Sequence, residues 1–155
     1  MSDFFSYQAK PDPGAESSGA EPPQAILADL SGEDWEQVIR FAARRRFPPG
    51  AVLVRAGESD RALHFIASGQ VELTGPGPTR AVRSEGEVFG LLSFLDGAPS
   101  AVTATVAAAG PAELLRVTPE ALQQLAAWQP RIAVALLRDL GAHVAQRLRR
   151  LRPAD

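Results

Sequence analysis

Gly86-Glu-Val-Phe-Gly90-Leu-Leu-Ser-Phe-Leu95-Asp-Gly-Ala-Pro-Ser100-Ala-Val-Thr-Ala-Thr-Val106 is the stretch on which the reading of this chain turns. A Gly-Glu turn leads to a second glycine, Gly90, and then to an apolar turn of helix from Leu91 to Leu95. Asp96-Gly97-Ala98-Pro99 breaks that helix, and the chain resumes as the alternating residues of a strand. A glycine that lets the backbone approach closely, followed at once by a short helix, points free N–H groups into one concavity. That arrangement suits an anion.

Upstream of this stretch the periodicity is that of strands. Pro48-Pro49-Gly50 is a turn, Ala51 to Val54 a strand, and Ala56 to Asp60 a second turn. Leu63 to Ile66 is the next strand, Ser68-Gly69 turns again, and Val71 to Thr74 alternates in and out. Gly75-Pro76-Gly77-Pro78 then leads into a strand from Thr79 to Arg83. Downstream, Thr103 to Val106 and Glu113 to Val117 read as closing strands on either side of Gly110-Pro111. Short strands with glycine turns every eight to twelve residues predict an antiparallel barrel or jelly roll.

Helices flank this region. Ser31 caps a helix whose first turn is acidic and whose Trp35, Val38, Ile39 and Ala42 share a face; Arg44-Arg45-Arg46 reads as its end. Three arginines in a row suggest nucleic acid, but cations in a last turn also complement the helix dipole, and the dipole is the expected reason for them here. Thr118-Pro119-Glu120 starts another helix. Pro130 opens a last one of some twenty residues, with Ala133, Leu137, Leu140, Val144, Leu148 and Leu151 in a near-heptad seam and Ile132 and Leu136 on a second flank. Arginines decorate its end. Residues 1–25 are too poor in large apolar groups to offset ordering entropy and are expected to form a flexible arm. Its tip carries Phe4, Phe5 and Tyr7, either a plain exposed start or aromatic anchors for a partner's groove.

The 155 residues fit one domain, expected over residues 26–152. With a formal net charge of −2, no global field favours nucleic acid. Cysteine is absent, which removes disulfides, iron–sulfur clusters, thiol catalysis and cysteine-ligated zinc. No apolar run reaches the roughly 18–20 residues of a membrane span, and no signal segment opens the chain, so a cytoplasmic location is expected. Only His64 and His143 are present, without ligand spacing, and Ser100, Thr103 and Thr105 make no triad with them. No enzyme and no metal site follow from this.

The turns and the opening stretch together resemble the cyclic-nucleotide-binding domain family. Phe47, Gly50, Gly57, Glu58, Phe65, Ile66, Ser68, Gly69 and Val71 fit its recurring frame. Gly86, Glu87, Phe89, Gly90, Leu92 and Pro99 fit its phosphate-binding cassette, so the resemblance covers about residues 30–150. It implies a mainly β fold with flanking helices, an eight-stranded antiparallel jelly-roll barrel, and often a parallel dimer through the last helix. A transcription factor of this family would carry a helix-turn-helix after that helix, and none is expected here. In the family's cassette pattern the ligand-binding positions fall on Gly90, Leu91, Leu92, Ser100, Ala101 and Thr103. Two of these depart from it: Leu91 stands where the ribose-binding glutamate belongs and Ser100 where the phosphate-binding arginine belongs.

Losing both charged contacts forfeits about 3–6 kcal/mol, or two to four decades of affinity. Rescue by Arg80, Arg83 or Arg116 would need a shifted loop. The expectation is therefore a regulatory or structural protein-interaction subunit with a degenerate pocket and no cofactor. It would form a homodimer or join a larger assembly through Leu137, Leu140, Val144 and Leu148. The alternative is a sensor still binding a cyclic nucleotide or another small anion.

Overall fold

The computed structural model describes residues 30–78 and 80–151, so the aromatic tip with Phe4, Phe5 and Tyr7 lies outside the described residues. Helix α1 spans Gly32–Arg40. Five strands follow: β1 (Ala43–Phe47), β2 (Val52–Val54), β3 (Leu63–Ser68), β4 (Gln70–Thr74) and β5 (Arg80–Ser84). Then come β6 (Val88–Phe89), helix α2 (Leu91–Asp96), β7 (Thr103–Val106), β8 (Ala112–Val117) and the helices α3 (Pro119–Trp128) and α4 (Pro130–Leu151). The strands form two antiparallel four-stranded sheets, in the orders β1-β8-β3-β6 and β2-β7-β4-β5. Among the described residues no ladder joins one sheet to the other, so the architecture is a pair of sheets rather than the closed barrel expected from the sequence.

Alternation along β3 explains the two cores. Leu63 and Phe65 point to one side and pack with Leu115, Val117, Trp35, Val38, Leu125, Leu136 and Leu140 beneath the helices. Ile66 points the other way and meets Val71, Leu73, Phe89, Ala104 and Leu114 between the sheets. A central strand covered on both faces is apolar on both, and residues 63–66 are all buried.

The helices are fixed by their ends. The Ser31 hydroxyl accepts from the Asp34 N–H at 3.1 Å, and the Thr118 hydroxyl from the Ala121 N–H at 3.1 Å. Trp35 meets Phe65 edge to face at 4.8 Å, which seats α1 on the sheet. Arg131 forks onto the Asp34 carboxylate at 2.7 and 3.2 Å and ties α4 to α1.

Two further expectations need correction. The run Arg44-Arg45-Arg46 does not end a helix: α1 stops at Arg40, and the arginines lie in β1, paired residue by residue with β8. Strand alternation sends Arg44 towards Glu113, at 3.1 Å, and Arg45 to the opposite face. On α4, Leu140 is fully buried against the sheet instead of lying in a free seam, because the helix presents Ile132, Ala133, Leu136 and Leu140 to the core. Val144 is only partly buried against that same core, while Leu137 and Leu148 are exposed.

Candidate functional site

The cassette forms the expected strand, turn and helix. Gly90 joins β6 to α2 with φ at 79°, a left-handed conformation that costs a side-chain-bearing residue energy. A Cβ there would also lie 2.8 Å from the Ala62 carbonyl oxygen, so only glycine lets the cassette sit this close to β3. No side chain caps the N-terminus of α2.

The residues at the family's ligand-binding positions differ in exposure and in hydrogen bonding. Leu91 turns inward and is 4% exposed, packed in the core beneath the helices. Its neighbour Leu92 turns outward and is 54% exposed. The Ser100 hydroxyl donates to the Val102 carbonyl at 2.7 Å, while its backbone N–H and carbonyl pair with the Glu58 carbonyl and the Gly57 N–H. Every polar group of Ser100 thus already has a partner within the chain. Ala101 is exposed. The Thr103 hydroxyl accepts from the Ala56 N–H at 3.0 Å and holds the turn after β2. Of the arginines considered as substitutes, Arg80 reaches Glu72 at 3.2 Å on an exposed surface, and Arg83 has interactions of its own.

Arg116 belongs to a different group, one that the sequence did not reveal. Strand register lines up Ala43, Arg116, His64 and Phe89 across the sheet. His64 stacks flat on Phe89, with ring centroids 4.5 Å apart, and is buried. The Asp60 carboxylate accepts from His64 Nε2–H at 2.9 Å, from the Ala62 N–H at 3.1 Å and from Arg116 Nη2 at 3.2 Å. The His64 hydrogen bond, aided by the Ala62 N–H and the Arg116 charge and opposed by burial, lowers the Asp60 pKa to about 2. These three residues line a cavity of about 700 Å³, together with Arg45, Phe47 and Leu114 among others. No residue of the cassette lines it. His64 and Arg116 stand 52 positions apart in sequence, and only the β3–β8 register brings them together.

Residues 44–127 match the family model described as the cyclic nucleotide-binding domain, and the chain belongs to that family. It is 31% identical over 129 residues to the cyclic AMP receptor protein of Thermus thermophilus, a match covering 80% of this chain and 57% of that one. The crystal structure of the Thermus thermophilus catabolite activator protein superposes with a TM-score of 0.70 at 28% identity, over 83% of this chain and 60% of that one. The N-terminal domain of a transcriptional regulator from Streptomyces coelicolor gives 0.69 at 27% identity, over 84% and 93% of the two chains. A cyclic nucleotide-gated potassium channel of Mesorhizobium japonicum is 32% identical over 97 residues, 63% of this chain. The chain spans about a quarter of that channel and somewhat more than half of the receptor protein. No described helix is long and apolar enough to cross a membrane.

Proposed function

We propose that this chain is a regulatory interaction domain of the cyclic nucleotide-binding family whose cassette does not hold a cyclic nucleotide. The observation that carries this reading is Leu91. A ribose hydroxyl needs an acceptor at that position, and the side chain present is an apolar group already committed to the core. Ser100 supports the same reading, since its hydroxyl is spent on Val102 and supplies no positive charge.

The output in this reading is self-association through α4. Val134, Leu137, Gly141, Val144, Leu148 and Leu151 recur at alternating steps of three and four along one stripe beside the core face. Val134, Leu137, Leu148 and Leu151 are exposed, and nothing lies within 4 Å of a Cβ built on Gly141. A second copy laid parallel along the stripe covers these groups, and Gly141 admits the close approach. The cytoplasm is the expected compartment for such a regulator.

Titration calorimetry of the full chain with cyclic AMP and cyclic GMP tests the cassette. We expect no heat of binding at micromolar ligand; a dissociation constant below about 10 µM would overturn the reading. The competing reading, a working sensor, is favoured by the names of two relatives, a cyclic AMP receptor protein and a cyclic nucleotide-gated channel.

A further inference from the structure

We propose that the cavity beside β1 and β8 is a second binding site, separate from the cassette, for a small organic anion with a flat apolar body. Its acidic group would sit on Arg45 and Arg116, and its body against Phe47 and Leu114. This inference does not depend on whether the cassette is empty.

The charge pattern carries the first part. Two guanidinium groups, from adjacent strands of one sheet, border the same space of about 700 Å³. The carboxylates bordering it have partners of their own. Asp60 is held by His64, Ala62 and Arg116, while Glu58 lies 3.9 Å from Arg55. Arg45 has no ion-pair partner among the described residues; its guanidinium rests over the Phe47 ring, 5.5 Å from the centroid. An arginine laid on an aromatic wall keeps its planar donor fork available for a carboxylate or phosphate.

Arg116 is held in place rather than left to wander. Asp60 anchors one of its nitrogens, and Asp60 is itself anchored by the His64 ring and a backbone N–H. An arginine keeps five donors, so the bond to Asp60 leaves others for a ligand. His64 is itself fixed, its ring stacked on Phe89. Its Nε2 carries the proton given to Asp60, while the buried Nδ1 has no hydrogen-bond partner among the described residues. The apolar part of the lining, Phe47 and Leu114 with Val52, gives a ligand's body somewhere to shed water.

The test is a titration of the isotopically labelled full chain, followed by backbone amide shifts, with four probes. Benzoate and phenyl phosphate carry charge and ring, inorganic phosphate carries charge alone, and benzamide carries the ring alone. Saturable movement of the Arg45, Phe47, Leu114 and Arg116 amides by benzoate or phenyl phosphate is expected. The tighter of the two identifies the acidic group as carboxylate or phosphate. Inorganic phosphate and benzamide should each bind at least about tenfold more weakly. Arg45→Ala, an exposed change that spares the fold, should weaken the best probe by about tenfold or more, and Arg116→Lys by less. The proposal fails if neither aromatic anion gives saturable shifts at about 10 mM, if benzamide binds equally well, or if Arg45→Ala binds unchanged.

Discussion

Replacing Leu91 with glutamate restores the residue type that the family's cassette pattern places there, and the structure makes a sharp prediction about the cost. Leu91 is 4% exposed and packs in the core beneath the helices. Removing its side chain from that core forfeits about 1.5–3 kcal/mol of burial. A carboxyl put there without a hydrogen-bond partner adds about 1–3 kcal/mol, even if it takes up a proton to stay neutral. The expected loss for Leu91→Glu is about 3–5 kcal/mol, which in a domain of this size lowers the midpoint by roughly 10–20 °C. Leu92→Glu, one residue on and facing solvent, should stay within about 0.5 kcal/mol of the parent. Urea unfolding followed by tryptophan emission reads both, since Trp35 is buried and its exposure reports the transition. A glutamate buried this way has its pKa raised, so its deficit should be smaller at about pH 4–5 than at neutral pH. If Leu91→Glu unfolds within about 1 kcal/mol of the parent at neutral pH, position 91 opens onto a wet pocket and the account of the cassette given above fails.

Other expectations can be checked with the same preparations. The Asp60 carboxylate, with its pKa lowered to about 2, contributes stability that is complete above the ordinary aspartate range and is lost as pH falls from about 4 through 2. Allowing for solvent at its rim, that contribution is about 1–2 kcal/mol; the stability gap between parent and Asp60→Asn should narrow over the same window, and a constant gap would contradict the assignment. Gly69→Ala should cost about 2–4 kcal/mol, because its Cβ would fall 2.5 Å from the Pro111 carbonyl oxygen at a φ of 87°. Gly50→Ala, with open space around it, should cost only the 1–2 kcal/mol or so of its left-handed backbone. Light scattering on Leu137→Glu with Leu148→Glu should show a folded monomer against the dimer expected of the parent, whereas Leu140→Glu should unfold; an unchanged mass for the double variant removes α4 as the interface.

The strand frame was legible because its turns are written in glycine and proline, and because alternation is a short-range signal. Gly57, Gly69 and Gly90 all adopt the positive φ that their turn positions implied. What the sequence hid depends on long-range pairing. Arg44 to Arg46 looks like a helix end until β8 is known to lie alongside, and only then does Arg45 separate from its neighbours. Whether eight strands close into a barrel depends on hydrogen bonds between edge strands, about which alternation says nothing. On α4 the sequence alone does not separate a stripe through Ala133 and Leu140 from one through Val134 and Gly141, since steps of three and four fit either line. Packing on the sheet selects between them. The cavity was beyond reach altogether: Asp60 and Arg116 are 56 positions apart, and neither belongs to a motif.

Strand β1 closes one sheet with three consecutive guanidinium-bearing residues, and among the described residues β8 pairs with one of its two sides and no strand with the other. A bare rim of backbone donors and acceptors invites another chain to add a strand, the first step towards fibrous aggregates. Another copy approaching that rim edge to edge would bring its own three cations against these three, and mutual repulsion turns it away. The arginine run thus acts as a guard against lateral growth along this edge of the sheet.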